Sequence, residues 1–174
     1  MIITPVDHHK NLFYVEQVYP KHLLDKMTAE YALSATWRRE DMQSGWLRRR
    51  LNDSPLIAEF DQHIKSCAAQ IDQATGFAIL SCDTGFWLDE PGFTVDQHLD
   101  NDAVSASMQI YIWDDAALPG TAFYVEDQIR REFKYVQNTG YLMINGPGQY
   151  HGMTATVPDG HNRLCSYTWF YPKV

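Results

Sequence analysis

The spacing of apolar residues changes near residue 77, and this change constrains the fold more than any other feature of the chain. Before it, apolar side chains recur at the spacing of an amphipathic helix that Ser54 can cap, with Pro55 in its first turn, and Gly76 can end. After it, apolar and polar residues alternate with the period of a β-strand. The chain therefore combines helices in its first part with β-sheet in its second part.

The alternating part divides into short segments that are rich in aromatic and β-branched residues. Short strands at such spacing predict a double-sheet barrel or a jelly roll, and we expect a double-stranded β-helix, that is, a jelly-roll or cupin-like core. We predict one α+β domain over residues 1–174, in which a mostly helical support region (1–76) packs on one sheet of the core (77–174). The predicted strands are Phe77–Leu80, Gly85–Asp89, Ala106–Trp113, Ala122–Val125, Tyr141–Asn145 and Leu164–Tyr171.

Composition limits the compartment and the partners. The formal net charge of -8 disfavours nucleic acid, because a negatively charged surface repels phosphate backbones. Three cysteines without a CxxC spacing favour reduced thiols over a disulfide framework or a structural zinc site. The N-terminus lacks the apolar stretch of a secretory signal, and no uncharged apolar run approaches the roughly 20 residues of a membrane helix. We therefore expect a soluble, cytoplasmic protein with no membrane partner, and the oligomeric state stays open.

The segment Gln97-His98-Leu99-Asp100-Asn101 is the first that carries recognisable chemistry. On an extended chain, His98 and Asp100 point to the same face and Leu99 points away. An imidazole and a carboxylate on one face suit a borderline divalent metal. Because this pattern is common in proteins, a solvent-facing pair in a loop is the alternative.

A histidine beyond a glycine- and proline-rich turn completes a candidate metal site. The apolar strand Tyr141–Asn145 runs into this turn, and His151 follows where the strand meets the loop. With His98 and Asp100 it would form a set of two histidines and one carboxylate. Such a set occupies one face of an octahedral iron and leaves the other positions open.

Arg163 begins the last alternating strand and should lie inside the fold, where an unpaired guanidinium is costly. An anionic ligand would satisfy it, because a guanidinium binds a carboxylate through paired hydrogen bonds. An internal salt bridge to Asp or Glu is the alternative. The run Arg48-Arg49-Arg50, in contrast, is interpreted as a solvated face.

Several other residues receive weaker assignments. We interpret Trp87, Trp113 and Trp169 as core aromatics rather than a substrate cage, and His161 as a turn residue. Asp96, Asp102 and Glu90 flank the candidate metal segment, and each could orient a ligand histidine or simply be solvated.

These elements, in this order, resemble the 2-oxoglutarate- and Fe(II)-dependent dioxygenase superfamily, and within it the prolyl-4-hydroxylase-like branch. The family pattern is HxD, then a distal His, then an Arg or Lys on the following strand with a Trp shortly after it. The match here is His98-Leu99-Asp100, His151, and Arg163 with Trp169. Tyr111 lies where related hydroxylases have a tyrosine that bonds the cosubstrate carboxylate. The resemblance covers Phe77 to the C-terminus.

The resemblance implies a hydroxylase that acts on a peptidyl side chain or a small molecule and forms succinate and CO2. His98, Asp100 and His151 would be the catalytic iron ligands, and Arg163 and Tyr111 would bind the far carboxylate of the cosubstrate 2-oxoglutarate. O2 would be consumed, and ascorbate would serve as an optional reductant. A non-catalytic, cupin-like metal-binding or structural protein is the alternative, although such a protein needs neither Arg163 nor an open metal face. A zinc hydrolase would need a further general acid or base, which is not evident in the sequence.

Overall fold

Two antiparallel β-sheets of unequal size form the core of the protein. The computed structural model describes residues 1–32, 37–39, 47–100 and 105–172, with only the backbone described at 172. In these residues, eight strands form the larger sheet and three form the smaller one. The strands are β1 (Ile2–Val6), β2 (His9–Glu16), β3 (Trp37–Arg39), β4 (Arg48–Leu51), β5 (Ile79–Asp89), β6 (Ala106–Tyr111), β7 (Thr121–Val125), β8 (Gln128–Phe133), β9 (Thr139–Ile144), β10 (Tyr150–Gly152) and β11 (Arg163–Pro172).

The two sheets and the helices enclose two apolar layers. The strand order is β1-β2-β9-β6-β11-β5-β4-β3 in the larger sheet and β10-β7-β8 in the smaller one. The helices of the described residues are α1 (Lys21–Tyr31), α2 (Pro55–Ser66) and α3 (Ala68–Thr75). One buried cluster lies between these helices and the larger sheet, and the other lies between the two sheets. The predicted combination of helices with a mainly β core is thus confirmed.

Helix α2 forms where its sequence predicts it. The Ser54 hydroxyl oxygen accepts a hydrogen bond from the backbone N–H of Leu56 and so caps the helix. Leu56 and Phe60 lie on the buried face, and the ring of Phe60 packs edge-on against Phe86 of β5 with 4.8 Å between ring centroids. The helix therefore covers the outer face of the larger sheet.

The predicted helix from Ser54 to Gly76 is divided into two. The break is at Cys67, whose φ of -92° and ψ of -2° end α2 and begin α3. Gly76 ends α3 in the left-handed conformation, with a φ of 69°. Neither glycine nor proline marks the break in the sequence, so only the end at Gly76 could be predicted.

The region before residue 77 is less helical than predicted, because it also contains β1 to β4. Strands β1 and β2 form a hairpin, and β2 pairs with β9 of the core. Leu12 faces the layer between the sheets and Val15 faces the helices, and both are fully buried. Since both faces of β2 are covered, its apolar residues do not alternate with polar ones, and the strand was missed.

Strand β5 is one continuous strand, although the sequence predicts two separate ones. The polar stretch between the predicted strands belongs to the same strand, and Cys82 and Thr84 in it are buried. Cys82 faces the helices, and the Thr84 hydroxyl bonds to that of Thr168 on β11, 3.1 Å away.

None of the helices in the described residues is long and apolar enough to cross a membrane.

Candidate metal centre

The backbone brings His98 and His151 next to each other. The N–H of His98 donates to the carbonyl oxygen of His151 at 2.9 Å, and the N–H of His151 donates back to the carbonyl oxygen of His98 at 3.0 Å. His151 also lies in β10, opposite Phe123 of β7, so the smaller sheet fixes its position. The two imidazole rings are 4.4 Å apart between centroids.

Asp100 completes a cluster whose ligand atoms lie within 4.8 Å of one another. Its Oδ1 is 3.7 Å from Nε2 of His98 and 3.5 Å from Nε2 of His151. The structure therefore brings together the three residues that the sequence proposes as ligands. Among the described residues, no other group of three or more His, Cys, Asp or Glu side chains has this arrangement.

Both imidazoles are oriented by backbone carbonyls. Nδ1 of His98 lies 2.8 Å from the carbonyl oxygen of Asp96, and Nδ1 of His151 lies 3.1 Å from that of Gln149. A neutral imidazole that donates from Nδ1 has a lone pair on Nε2. Each ring thus presents its acceptor nitrogen to the common centre, as in metal sites where a carbonyl holds the ligand histidine.

The two oxygens of Asp100 have different partners. Oδ2 accepts hydrogen bonds from the Tyr167 hydroxyl at 2.6 Å and the Ser107 hydroxyl at 3.0 Å, while Oδ1 faces the histidines. Burial opposes ionisation of Asp100, but its interactions with His151 and His98 outweigh burial and hold its pKa below the usual value. Burial, and then the Asp100 charge, raise the pKa of Tyr167 well above its usual value, so its hydroxyl stays protonated and donates.

These donors fit a divalent transition metal. Two imidazole nitrogens and one carboxylate oxygen match the facial set that binds non-haem Fe(II). The two hydroxyls on Oδ2 favour binding through Oδ1 alone, which leaves room on the metal for other ligands. The chemistry of the donor set therefore agrees with the iron that the motifs imply.

A cavity of about 400 Å³ adjoins the three residues. It lies between the sheets, and its volume falls in the range typical of small-ligand sites. Its wall includes Arg163, which reaches it from the start of β11. The remaining lining residues are Arg48, Arg50, Trp87, Val95, Gln109, Thr121, Tyr141, Gly152, Met153, Cys165, Tyr167 and Trp169.

Arg163 is almost fully buried and makes three hydrogen bonds to described residues. Nε donates to the carbonyl oxygen of Pro119 at 3.1 Å, Nη1 donates to Asp89 at 2.8 Å, and Nη2 donates to the Thr121 hydroxyl at 3.4 Å. The salt bridge that the sequence offered as an alternative role therefore exists. Asp89 is shared, however, because Nε and Nη2 of Arg48 donate to its two oxygens at 2.5 and 3.1 Å.

Tyr111 lies behind the cavity rather than in its wall. Its hydroxyl donates to Oγ1 of Thr121 at 3.1 Å and to the carbonyl oxygen of Phe133 at 3.3 Å. Burial raises its pKa to about 12, which keeps it a donor. Thr121 and Gln109 line the cavity in its place. Tyr111 thus supports Thr121, and its direct contact with a cosubstrate stays a prediction.

Four of the residues interpreted as solvated or core groups line the cavity. Arg48 and Arg50 are part of its wall, which contradicts the interpretation of the arginine run as a solvated face. Trp87 and Trp169 line it as well, whereas Trp113 packs against Tyr31. The alternation of Arg48 and Arg50 along one strand was a signal that could have placed them on one face.

The residues that flank the candidate metal segment have different partners. Asp96 orients His98 through its backbone carbonyl and not through its side chain, and the Glu90 side chain pairs with Arg49. Asp102 lies outside the described residues. His161 bonds Asp115 at 2.6 Å, away from the candidate metal ligands.

Comparison with solved structures identifies the fold. A prolyl-4-hydroxylase from Pseudomonas putida superposes with a TM-score of 0.70 at 15% identity, over 96% of this chain and 95% of that chain. A prolyl hydroxylase from Trichoplax adhaerens, in complex with a hypoxia inducible factor peptide fragment, gives 0.71 at 10% identity, over 94% and 84%. HygX from Streptomyces hygroscopicus, with nickel, 2-oxoglutarate and hygromycin B bound, gives 0.66 at 10% identity, over 94% and 83%.

Sequence comparison does not assign the chain to a protein family. No protein-family model matches the chain. No curated protein matches it by sequence. The structural likeness, at low identity, concerns the fold: the chain has the double-stranded β-helix fold of the 2-oxoglutarate- and Fe(II)-dependent oxygenases, the superfamily that its motifs resemble.

Proposed function

We propose that the protein is a 2-oxoglutarate- and Fe(II)-dependent dioxygenase that hydroxylates a peptidyl side chain or a small molecule, with formation of succinate and CO2. One observation carries the proposal. The Nε2 atoms of His98 and His151 and Oδ1 of Asp100 converge at a cavity whose wall also contains the buried Arg163.

His98, Asp100 and His151 would hold the iron on one face. The carbonyls on both Nδ1 atoms select, for the neutral rings, the tautomer in which the lone pair that would bind the metal is on Nε2. When bound, the iron supplies the oxidative chemistry with O2 and 2-oxoglutarate, and the protein supplies position and charge. Tyr167 and Ser107 hold the Asp100 carboxylate in the orientation that keeps the other metal positions open.

Arg163 would bind the far carboxylate of 2-oxoglutarate. Its three hydrogen bonds to described residues use one N–H on each nitrogen, and each terminal nitrogen has a second N–H. A guanidinium N–H forms a charge-assisted hydrogen bond with a carboxylate, and the Thr121 hydroxyl lies beside Nη2. The ion pair with Asp89 is compatible with this role, because it fixes the guanidinium in place.

The similar structures support both substrate classes. The Trichoplax adhaerens enzyme holds a peptide fragment and HygX holds hygromycin B together with nickel and 2-oxoglutarate. A fold that accommodates both a peptide and a small molecule does not by itself choose between them for this chain.

Succinate formation tests the proposal. Protein supplied with Fe(II), 2-oxoglutarate, O2 and ascorbate should release succinate even without a prime substrate, and His98→Ala should abolish both this release and iron binding. His161→Ala, which removes an imidazole that faces Asp115, is the matched control and should keep both. No succinate from the unaltered protein, with iron bound, would instead favour the non-catalytic metal-binding function.

A further inference from the structure

Gly152 directly follows His151 in β10 and forms part of the cavity wall. Its φ lies outside the left-handed range, so other residues could adopt its backbone conformation. The limit is space. A Cβ at this residue would lie 2.9 Å from the carbonyl oxygen of Val95, and 3.0 Å from both the carbonyl carbon and the carbonyl oxygen of Asp96. The segment that leads to His98 therefore passes Gly152 too closely to leave room for a side chain.

Both crowded oxygens take part in hydrogen bonds beside the candidate ligands. The Val95 oxygen accepts from the backbone N–H of Met153 at 2.8 Å. The Asp96 oxygen lies 2.8 Å from Nδ1 of His98 and orients that ring. Because the atoms that a Cβ at Gly152 would meet belong to the backbone, room for it could come only from movement of this peptide segment. Such a movement would alter the hydrogen bond that orients His98.

His98 depends on its carbonyl more than His151 does. The His151 side chain is 5% exposed, and its ring stacks on Phe123 with 5.5 Å between centroids and packs edge-on against Tyr141. The His98 side chain is 40% exposed, and its ring packs against that of His151. Burial among aromatic rings therefore fixes one imidazole, whereas the other relies mainly on the hydrogen bond at Nδ1.

The Asp96 carbonyl also decides which nitrogen of His98 is available to a metal. A neutral imidazole carries its proton on one of its two nitrogens, and an acceptor beside Nδ1 favours the proton there. If this acceptor moves away, the tautomer with the proton on Nε2 becomes populated. That tautomer must lose the proton from Nε2 before this nitrogen can bind a metal. The orientation and the tautomer of His98 thus both depend on where the carbonyl lies.

We propose that Gly152 is a positioning residue of the metal centre. Because it has no side chain, the Asp96 carbonyl comes close enough to orient His98 and to hold its proton on Nδ1. The inference rests on the proposed function, since it takes Nε2 of His98 to be an iron ligand. It adds a residue that has no ligand atom of its own and acts through the position of a neighbouring peptide group.

Heteronuclear NMR of the metal-free protein, with isotopically labelled imidazoles, tests the role of the carbonyl. At a pH at which the rings are neutral, the spectrum distinguishes the protonated nitrogen of each ring from the unprotonated one. His98→Gln and His151→Gln assign the two signals by their loss. In the unaltered protein both rings should carry the proton on Nδ1. A proton on Nε2 of His98 would overturn the inference.

Gly152→Ala tests the role of the glycine, and Gly146→Ala is the matched control. Gly146 lies in the turn between β9 and β10, its φ is outside the left-handed range, and a Cβ there would meet no atom within 4 Å. Gly152→Ala should populate the second tautomer of His98, leave the His151 signal unchanged, and weaken Fe(II) binding in anaerobic calorimetry about tenfold or more. Gly146→Ala should change none of these.

Two results with Gly152→Ala would overturn the inference. An iron affinity equal to that of the unaltered protein would mean that the site tolerates a side chain here. Equal changes in the signals of both histidines would assign the effect to a general loosening of β10. If the variant does not fold, the crowding is supported, and the His98 tautomer of the unaltered protein decides. An unaltered protein that binds no Fe(II) removes the proposed function instead, a result that the tautomers of the metal-free protein do not affect.

Discussion

Tyr167→Phe should weaken metal binding without disturbing the fold. The substitution removes only the hydroxyl, which donates to Oδ2 of Asp100 at 2.6 Å. The ring stays in contact with Trp87 and Trp169, whose centroids lie 6.0 and 5.2 Å from its own. The carboxylate keeps one hydroxyl donor, Ser107 at 3.0 Å.

The size of the effect follows from the kind of hydrogen bond that is lost. A hydrogen bond to a charged group contributes about 1.5–3 kcal/mol, and 1.4 kcal/mol is a factor of about ten in affinity. Loss of a group that orients a metal ligand typically lowers metal affinity about tenfold to a hundredfold. Because Ser107 still holds Oδ2, we expect Tyr167→Phe at the lower end, a weakening of about tenfold.

Isothermal titration of the metal-free protein with Fe(II) under argon measures this effect, and thermal unfolding checks the fold. Tyr19→Phe is the matched control. The Tyr19 hydroxyl bonds Ser166 at 3.0 Å, on the residue before Tyr167 but on the opposite face of β11, so its loss should lower stability and leave iron affinity unchanged. Equal iron affinities of Tyr167→Phe and the unaltered protein would refute the role of this hydroxyl in orienting Asp100.

Three further substitutions or modifications have definite expected outcomes. Arg163→Ala should raise the KM for 2-oxoglutarate about tenfold to a hundredfold, with iron affinity unchanged by calorimetry; an unchanged KM would limit Arg163 to a structural ion pair. Gly140→Ala should lower the melting temperature in circular dichroism by about 10 °C or more, because its Cβ would lie 1.8 Å from the backbone oxygen of Gln109; a variant that melts within about 2 °C of the parent would contradict this contact. Iodoacetamide should alkylate the half-buried Cys67 before Cys82, since burial first and Asp61 second raise the Cys82 pKa to about 12; equal rates by mass spectrometry would refute this order.

The sequence predicts strands well where apolar residues lie on one face of the strand and polar residues on the other. It also predicts the direction of the candidate ligands. Strands β6, β7 and β11 lie close to their predicted bounds because their neighbours along the sheet impose the same alternation. The spacing of His98 and Asp100 predicts a shared direction, and their ligand atoms do converge, although the segment forms only a single bridge with His151. Local periodicity therefore suffices for the direction of these side chains.

The periodicity of the sequence does not indicate how deeply a side chain is buried or which distant residue it contacts. Gln109 and Tyr111 share a face of β6, yet only Gln109 reaches the cavity, because Thr121 lies between the Tyr111 hydroxyl and the open space. In the sequence Arg48 looks like a surface charge. In the structure the carboxylate of Asp89, 41 residues later, pairs with it and offsets the free-energy cost of removing its charge from water. Strand β8 is exposed along most of its length, so no apolar pattern marks it.

The reciprocal backbone hydrogen bonds between His98 and His151 have a consequence for metal exchange. Two of the three proposed ligands are joined by backbone hydrogen bonds, independently of any ion between their side chains. Folding alone therefore brings these two residues together, and the associated loss of conformational entropy does not recur when an ion binds. Binding of the ion chiefly replaces water molecules around it with side-chain donors. Replacement of one divalent ion by another of similar radius, such as cobalt or nickel for iron, then requires no rearrangement of the chain at these two residues.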